Sequence, residues 1–222
     1  MKILAIDTAT EVCSVAILDK NIVINEKTLN SVNTHSVELM PLIDNILDEC
    51  NLNLNDIDLF ACDIGPGSFT GIRIGISTIK AFCDITNKPC IGISSLEGFA
   101  YTSNETSSII CSLVNANHSN VYYGLFNYKD GKLIRLEDFS FKLFHDVLTH
   151  LNSLEKNIFF TGNCGIVFKD MIESNCKYNF KISQINTISA KNIGQAAFDK
   201  YSIGKIDNSL YPLYLKKSSA EY

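Results

Sequence analysis

The sequence predicts an α/β protein built from two related lobes. Two observations carry that expectation. Short apolar runs alternate with helical stretches along the whole chain, and a set of strands followed by mixed helix and strand occurs twice. The length of 222 residues, with 46% hydrophobic and 19% charged residues, suits a folded chain with ample core.

Lys2 to Asp7 reads as a buried strand, Cys13 to Leu18 as a second, and Ile22 to Leu29 as a third after a tight Asp19-Lys20-Asn21 turn. Short connections make these three an antiparallel meander. Asn33 or Thr34 is placed to cap a helix from His35 to Asn51, with Val37, Met40, Ile43, Ile46, Leu47 and Cys50 on one stripe. Leu59 to Ile64 is the next strand, and a helical pattern runs from Ile72 to about Ile85. Asn87-Lys88-Pro89 ends it, Cys90 to Ile93 returns as a strand, and a short helix follows from Leu96 to about Tyr101.

The order then restarts. Ser108–Val114 and Val121–Tyr128 read as strands, Asp130-Gly131 as a hairpin turn, and Lys132–Leu136 as the returning strand. Phe144–Leu151 is a helix, Ile158–Thr161 a strand, Gly165–Ser174 a helix, and Asn192–Tyr201 a final helix capped near Gly204. The polar stretch between Thr102 and Ser108 is the expected boundary, dividing residues 1–104 from 105–222.

A net charge of −5 argues against a broad nucleic-acid-binding surface. No apolar run approaches membrane-spanning length and no signal peptide is read at the start, so a cytoplasmic location is expected. The eight cysteines show no C-x-x-C spacing, and several fall inside apolar runs. They read as small buried hydrophobes rather than a disulfide framework or a zinc site.

The stretch Gly65-Pro66-Gly67-Ser68-Phe69-Thr70-Gly71 lies between a strand and a helix start. Glycine permits positive φ and close backbone approach, and a helix N-terminus offers unpaired N–H groups. Such a loop holds phosphate or seats another backbone. It is neither a P-loop, since no Gly-Lys-Ser/Thr closes it, nor Gly-x-Gly-x-x-Gly, since Thr70 stands at the third glycine. It is not Gly-x-Ser-x-Gly either, because Ser68 directly follows Gly67.

Asp7-Thr8-Ala9-Thr10 follows the first strand, where an acid and two hydroxyls can bind metal-linked phosphate or orient water. Met1 to Thr10, taken with Gly65 to Gly75, closely resembles the TsaB family. That family supplies the bacterial accessory subunit of the machinery making threonylcarbamoyladenosine in tRNA. The resemblance extends through Ser94-Ser95-Leu96-Glu97-Gly98 and returns at Tyr211-Pro212-Leu213-Tyr214-Leu215-Lys216. It implies an actin-like, sugar-kinase-like (ribonuclease H-like) fold with duplicated lobes. It also implies a degenerate nucleotide cleft formed by Asp7, Thr8, Thr10, Gly65, Gly67, Ser68, Thr70 and Gly71.

The catalytic paralogue, TsaD, carries a His-x-x-x-His metal pair around a Leu-Glu-Gly core. Here those positions are Ser95 and Phe99, and neither is a comparable ligand. His35, His118, His145 and His150 offer no replacement; the last two are five apart and do not share a helix face. No catalytic residue, metal site or cofactor is therefore expected, beyond weak ATP or ADP binding at complex interfaces. Many relatives carry charges at the start of the second lobe where this chain has Asn115, Asn117 and Asn120.

The two first-lobe helices carry apolar positions beyond a single stripe, which either all pack on the sheet or are shared with another subunit. The resemblance implies the shared surface, a subunit interface through Leu39, Met40, Ile43 and Leu47 with Ile72, Ile76, Ile79 and Cys83. The expected function is a non-catalytic scaffold and activator. It pairs with TsaD and TsaE, meets tRNA only through them, and forms a homodimer when free. The rivals are a stand-alone ATP-dependent kinase of the same superfold, with Gly162-Asn163-Cys164-Gly165 as its thin second phosphate loop, and a metallopeptidase.

Overall fold

A computed structural model describes residues 1–30, 35–206 and 209–215. In chain order the first elements are β1 (Lys2–Asp7), β2 (Val12–Asp19), β3 (Ile22–Asn30), α1 (His35–Glu49), β4 (Leu59–Asp63), α2 (Phe69–Thr86), β5 (Cys90–Ile93) and α3 (Ser95–Ala100). Then come β6 (Ile109–Asn115), β7 (Asn120–Lys129), β8 (Lys132–Arg135), β9 (Ser140–Leu143), α4 (Phe144–Ser153), β10 (Ile158–Gly162), α5 (Lys169–Asn175), β11 (Phe180–Ile182) and α6 (Ala190–Ser202).

The chain forms two compact units. One is Met1–Gly98 together with Ile188–Leu213; the other is Phe99–Thr187 with the described residues Tyr214 and Leu215. This corrects the expected division at 104/105 in one large respect: α6 belongs to the first unit. Its residues explain why. Ile193 and Ala197 are fully buried, and α6 packs on β1, β2, β4 and β5. Gly194 permits the approach, since a Cβ there would collide with Leu18 and press on Ala5.

The first unit holds a five-stranded sheet in the order β3-β2-β1-β4-β5. β1, β2 and β3 pair antiparallel, as the short turns predict, while β1, β4 and β5 run parallel. β1 and β4 are apolar along nearly their whole length because helices cover both their faces. Leu4, Ile6, Val15, Phe60 and Cys62 meet α1 and α2, while Ala5 and Leu18 meet α6.

The second unit repeats the plan in the order β11-β10-β6-β7-β8, with β9 pairing along the first half of β7. β6, β7 and β8 are antiparallel; β6, β10 and β11 are parallel. Phe144, Val147, Leu148 and Leu151 of α4 and Ile172 of α5 share a core with Cys111, Leu113, Tyr123, Leu125 and Phe160.

Three local expectations change. α2 starts at Phe69, so Thr70 and Gly71 are helical residues. The helix expected at Gly165–Ser174 is confined to Lys169–Asn175. Short β9 and β11 are additional strands, whose three or four residues carry too little periodicity to mark them in sequence. The capping residue expected at Asn33 or Thr34 lies outside the described residues. All eight cysteines are free thiols.

Candidate functional site at the strand ends of the first unit

β1 and β4 run parallel with Ile6 beside Cys62, which makes Asp7 and Asp63 the next residues of the two strands. Both side chains are buried, at 0% and 1% exposure. Asp7 Oδ1 accepts the Ala9 N–H at 2.8 Å, and its Oδ2 accepts the Thr10 hydroxyl at 3.4 Å. Asp63 Oδ1 accepts both the Gly65 N–H (2.7 Å) and the Ser95 hydroxyl (2.8 Å), while its buried Oδ2 receives no donor. Burial pushes the Asp7 carboxyl up to about 7 against the smaller pull of its hydrogen bonds. Burial first, then the neighbouring Asp7, holds Asp63 well above the usual carboxylate range.

Asp63 was not among the residues singled out from sequence. The signal was present: like Asp7, it is the one acid closing an apolar run that reads as a parallel strand. Ligands in open α/β sheets collect at such carboxyl ends.

The glycine loop is seated on the chain's own backbone. Ser68 N–H donates to Ala9 O, the Thr8 hydroxyl donates to Gly71 O, and Ser95 N–H donates to Gly65 O, each at 2.8 Å. A Cβ on Gly67 would strike Ala9 O, one on Gly71 would strike Thr8 O, and one on Gly75 would meet Thr8 Oγ1 at 2.6 Å. Gly65 has φ +98°, which glycine adopts without strain. The Ser68 hydroxyl accepts the Gly71 N–H at 3.2 Å and so caps α2. The structure therefore brings the expected cleft residues together. Asp7, Thr8, Gly65 and Gly71 are buried, Thr10 is partly buried, and Gly67, Ser68 and Thr70 are exposed.

Ser95 and Phe99, at the positions of the paralogue's metal ligands, have other tasks. Ser95 is 1% exposed and bonds Asp63 and Gly65; Phe99 is fully buried. Glu97 between them accepts from Ser94 N–H and its hydroxyl and pairs with Lys200 of α6 at 2.9 Å. Among the described residues, no group of three or more His, Cys, Asp or Glu side chains is placed to hold a metal ion. His35 sits beside the site, its Nε2 2.9 Å from Thr10 O.

The helix residues expected at an interface need correction. Leu39, Ile43, Leu47, Ile72, Ile76 and Ile79 are all buried at 7% exposure or less, in the unit's own core. They face the sheet because the apolar stripe is what a helix buries first. Met40 (43% exposed) and the half-buried Cys83 are the two that reach the surface. The outward apolar side chains of these helices are Val37, Met40, Phe69 and Ile85, with Ile74 and Ala81 nearby on α2. Arg73 stacks over Phe69 at 3.7 Å.

In the second unit, Asn115, Asn117 and Asn120 organise the β6–β7 turn. Asn163 Oδ1 accepts the Asn115 N–H, Asn115 Oδ1 accepts the Asn117 N–H, and Asn120 Nδ2 donates to the carbonyls of Asn117 and His118. Asn117, His118 and Ser119 all have φ between 50° and 62°, a conformation that asparagine tolerates better than most residues.

Two duplicated sheets and a glycine loop seated on the first strand's turn define a domain of the actin-like, sugar-kinase-like class. The family model described as "TsaD: tRNA N6-adenosine threonylcarbamoyltransferase" matches residues 23–218. A Bacillus subtilis protein named tRNA threonylcarbamoyladenosine biosynthesis protein TsaB is 32% identical over 173 residues, covering 78% of this chain and 76% of that protein. The Escherichia coli protein of the same name is 41% identical over 101 residues, 43% of this chain and 41% of that one. YeaZ from Pseudomonas aeruginosa superposes with a TM-score of 0.82 at 23% identity, covering 96% of this chain and 99% of that one. A putative N-acetylmannosamine kinase from Listeria monocytogenes shares the fold more distantly, with a TM-score of 0.55 at 12% identity over 92% of this chain and all of that one. The chain belongs to the TsaB family.

Proposed function

We propose that this protein is an accessory subunit in the synthesis of threonylcarbamoyladenosine in tRNA, acting in the cytoplasm as a scaffold and activator for TsaD and TsaE. The family membership supports the pathway. The observation that carries the non-catalytic reading is the use of Ser95 and Phe99. Ser95 locks the glycine loop through Asp63 and Gly65, and Phe99 is a core residue. The cleft is degenerate in the same sense: Gly67 and Gly71 make room for the chain's own carbonyls at Ala9 and Thr8. ATP or ADP binds weakly, if a complex interface supplies the remaining contacts.

The partner surface is the outward flank of α1 and α2, centred on Val37, Met40, Ile74, Ala81 and Ile85. Val37 and Ile85 are 71% and 74% exposed, and apolar side chains exposed on adjoining helices fit another helix pair. A homodimer of the free protein uses the same flank, since one self-complementary face serves a two-fold contact.

Reconstitution tests the reading. The purified chain is assayed for ATP hydrolysis and tRNA modification, alone and with TsaD, TsaE and threonylcarbamoyl-adenylate. Modification is expected only in the mixture, and robust turnover by the isolated chain would refute the scaffold role. Ile85→Glu is expected to abolish co-elution with TsaD while leaving the melting temperature unchanged. Unaltered co-elution of both Ile85→Glu and Met40→Glu would place the interface elsewhere.

A further inference from the structure

Asp7 and Asp63 stand side by side at the ends of neighbouring parallel strands, both out of solvent. The groups around them are known from each element packed there. The Thr10 hydroxyl and Ala9 N–H come from the turn, with His35 of α1 bonded to Thr10 O. The Cys13 thiol of β2 feels the charges of both Asp7 and Glu38 of α1. Cys62 of β4 feels Asp63, the Cys90 thiol of β5, Asp7 and, with the opposite sign, Lys80 of α2, which makes no ion pair with either acid. Gly65 N–H and the Ser95 hydroxyl of α3 complete the ring. Among the described residues, neither acid has a lysine, arginine or histidine as an ion-pair partner.

Two neighbouring buried carboxyl groups that act on each other and have no ion-pair partner do not both ionise; such pairs retain a proton. The hydrogen-bond inventory says where it sits. Three of the four carboxyl oxygens already accept from N–H or O–H donors, and the fourth, Asp63 Oδ2, has none. A hydrogen on that oxygen turns it from an unpaired acceptor into a donor toward Asp7, and all four carboxyl oxygens of the pair then have a partner.

We propose that one proton, carried by Asp63 and donated to Asp7, latches the Asp7–Thr10 turn to the Gly65–Gly71 loop and closes this strand-end acid to cations. The latch joins two backbone segments. Asp7 fixes the turn through Ala9 and Thr10, and Asp63 fixes the loop through Gly65 and, by way of Ser95, α3. It deepens the degenerate-cleft reading and rests on it in one respect only, that the acid serves the fold rather than a metal-linked phosphate.

Asp63→Asn mimics the latched state permanently. The amide oxygen continues to accept from Gly65 and Ser95, and the amide nitrogen donates to Asp7. Wild-type protein at pH 8 is expected to show the infrared carbonyl stretch of a protonated carboxyl group, and the variant is expected to lack it. From pH 5 to pH 9 the stability of the wild type should fall, and the variant should lose about one proton's share of that slope. Absence of the protonated-carboxyl band in the wild type overturns the latch whether or not the variant folds. So does an unchanged pH slope in a folded variant. A rise in wild-type melting temperature on adding magnesium chloride, lost in Asp63→Asn, would show a cation site instead. None of these outcomes depends on TsaD or TsaE, so the latch and the scaffold role stand or fall separately.

Discussion

In the first unit, β1 carries an antiparallel meander on one side and two parallel strands on the other, and β6 does the same in the second. The polar residues at the ends of these matching strands differ. β1 and β4 end in Asp7 and Asp63, buried acids that accept from the turns beside them. β6 ends in Asn115, and Asn163 follows β10; both are exposed, and the Asn163 amide ties the two together. The same topology thus leaves one strand end closed and protonated, the other open and neutral. An amide is both donor and acceptor and needs no counter-ion in water, whereas a buried acid must find a proton or a cation. Burial, rather than topology, decides which chemistry a strand end can hold.

The largest effect should come from the glycines that let backbones meet. Gly71→Ala in the first unit and Gly162→Ala in the second would each drive a Cβ into a carbonyl, Thr8 O and Leu113 O respectively. Each is expected to cost about 3 kcal/mol or more, read as a collapse in melting temperature or in soluble yield. If only one proves costly, the two strand ends are less alike than their topology. Next, Ser95→Ala removes a hydroxyl donor from Asp63 and should cost about 1–2 kcal/mol in chemical denaturation.

The pH comparison is subtler. Asp7 and Asp63 are raised above their unfolded values, so the folded state holds protons that the unfolded chain releases. Well below pH 4 the two states bind the same protons. As pH rises toward 7, where Asp7 titrates in the fold, the unfolded chain sheds protons first and stability falls. A stability profile by chemical denaturation between pH 4 and 8 should show that decline, and a rise across this range would refute the raised values. Smallest of all, Asn163→Asp keeps an acceptor for Asn115 N–H at an exposed site and should shift stability by less than about 0.5 kcal/mol. A larger penalty would mean that the second strand end tolerates charge as poorly as the first.

Much of this was legible in the sequence. Three apolar runs with short turns gave the meander because alternation and turn residues act locally, and the glycine loop announced itself by composition. The Asp7–Gly71 neighbourhood was also legible, since the family motif joins its parts. Asp63 was passed over because its importance depends on lying beside Asp7 across 56 residues of chain, a fact of register rather than of spacing. The helix stripes misled for the opposite reason. Ile76 and Ile79 are visible as apolar in any reading, but only the packing shows that the sheet takes them, at 6% and 0% exposure, and leaves Ile85 outside. The domain boundary failed at α6, whose helical pattern carries no mark of which sheet it covers.

The return of α6 to the first sheet has a consequence for synthesis. A ribosome delivers β1 to β5 and both covering helices early, but the second covering layer, with Gly194 against Leu18 and Ala5, is made only after Phe99–Thr187 of the second unit. Until Ile188 to Leu213 emerge, one face of the amino-terminal sheet stays wet, so the unit that starts first waits for its covering helix until Phe99–Thr187 have been made. All the strands and helices of the second sheet lie within the continuous stretch Phe99–Thr187, so nascent chains should gain protease resistance there before they gain it at the amino terminus.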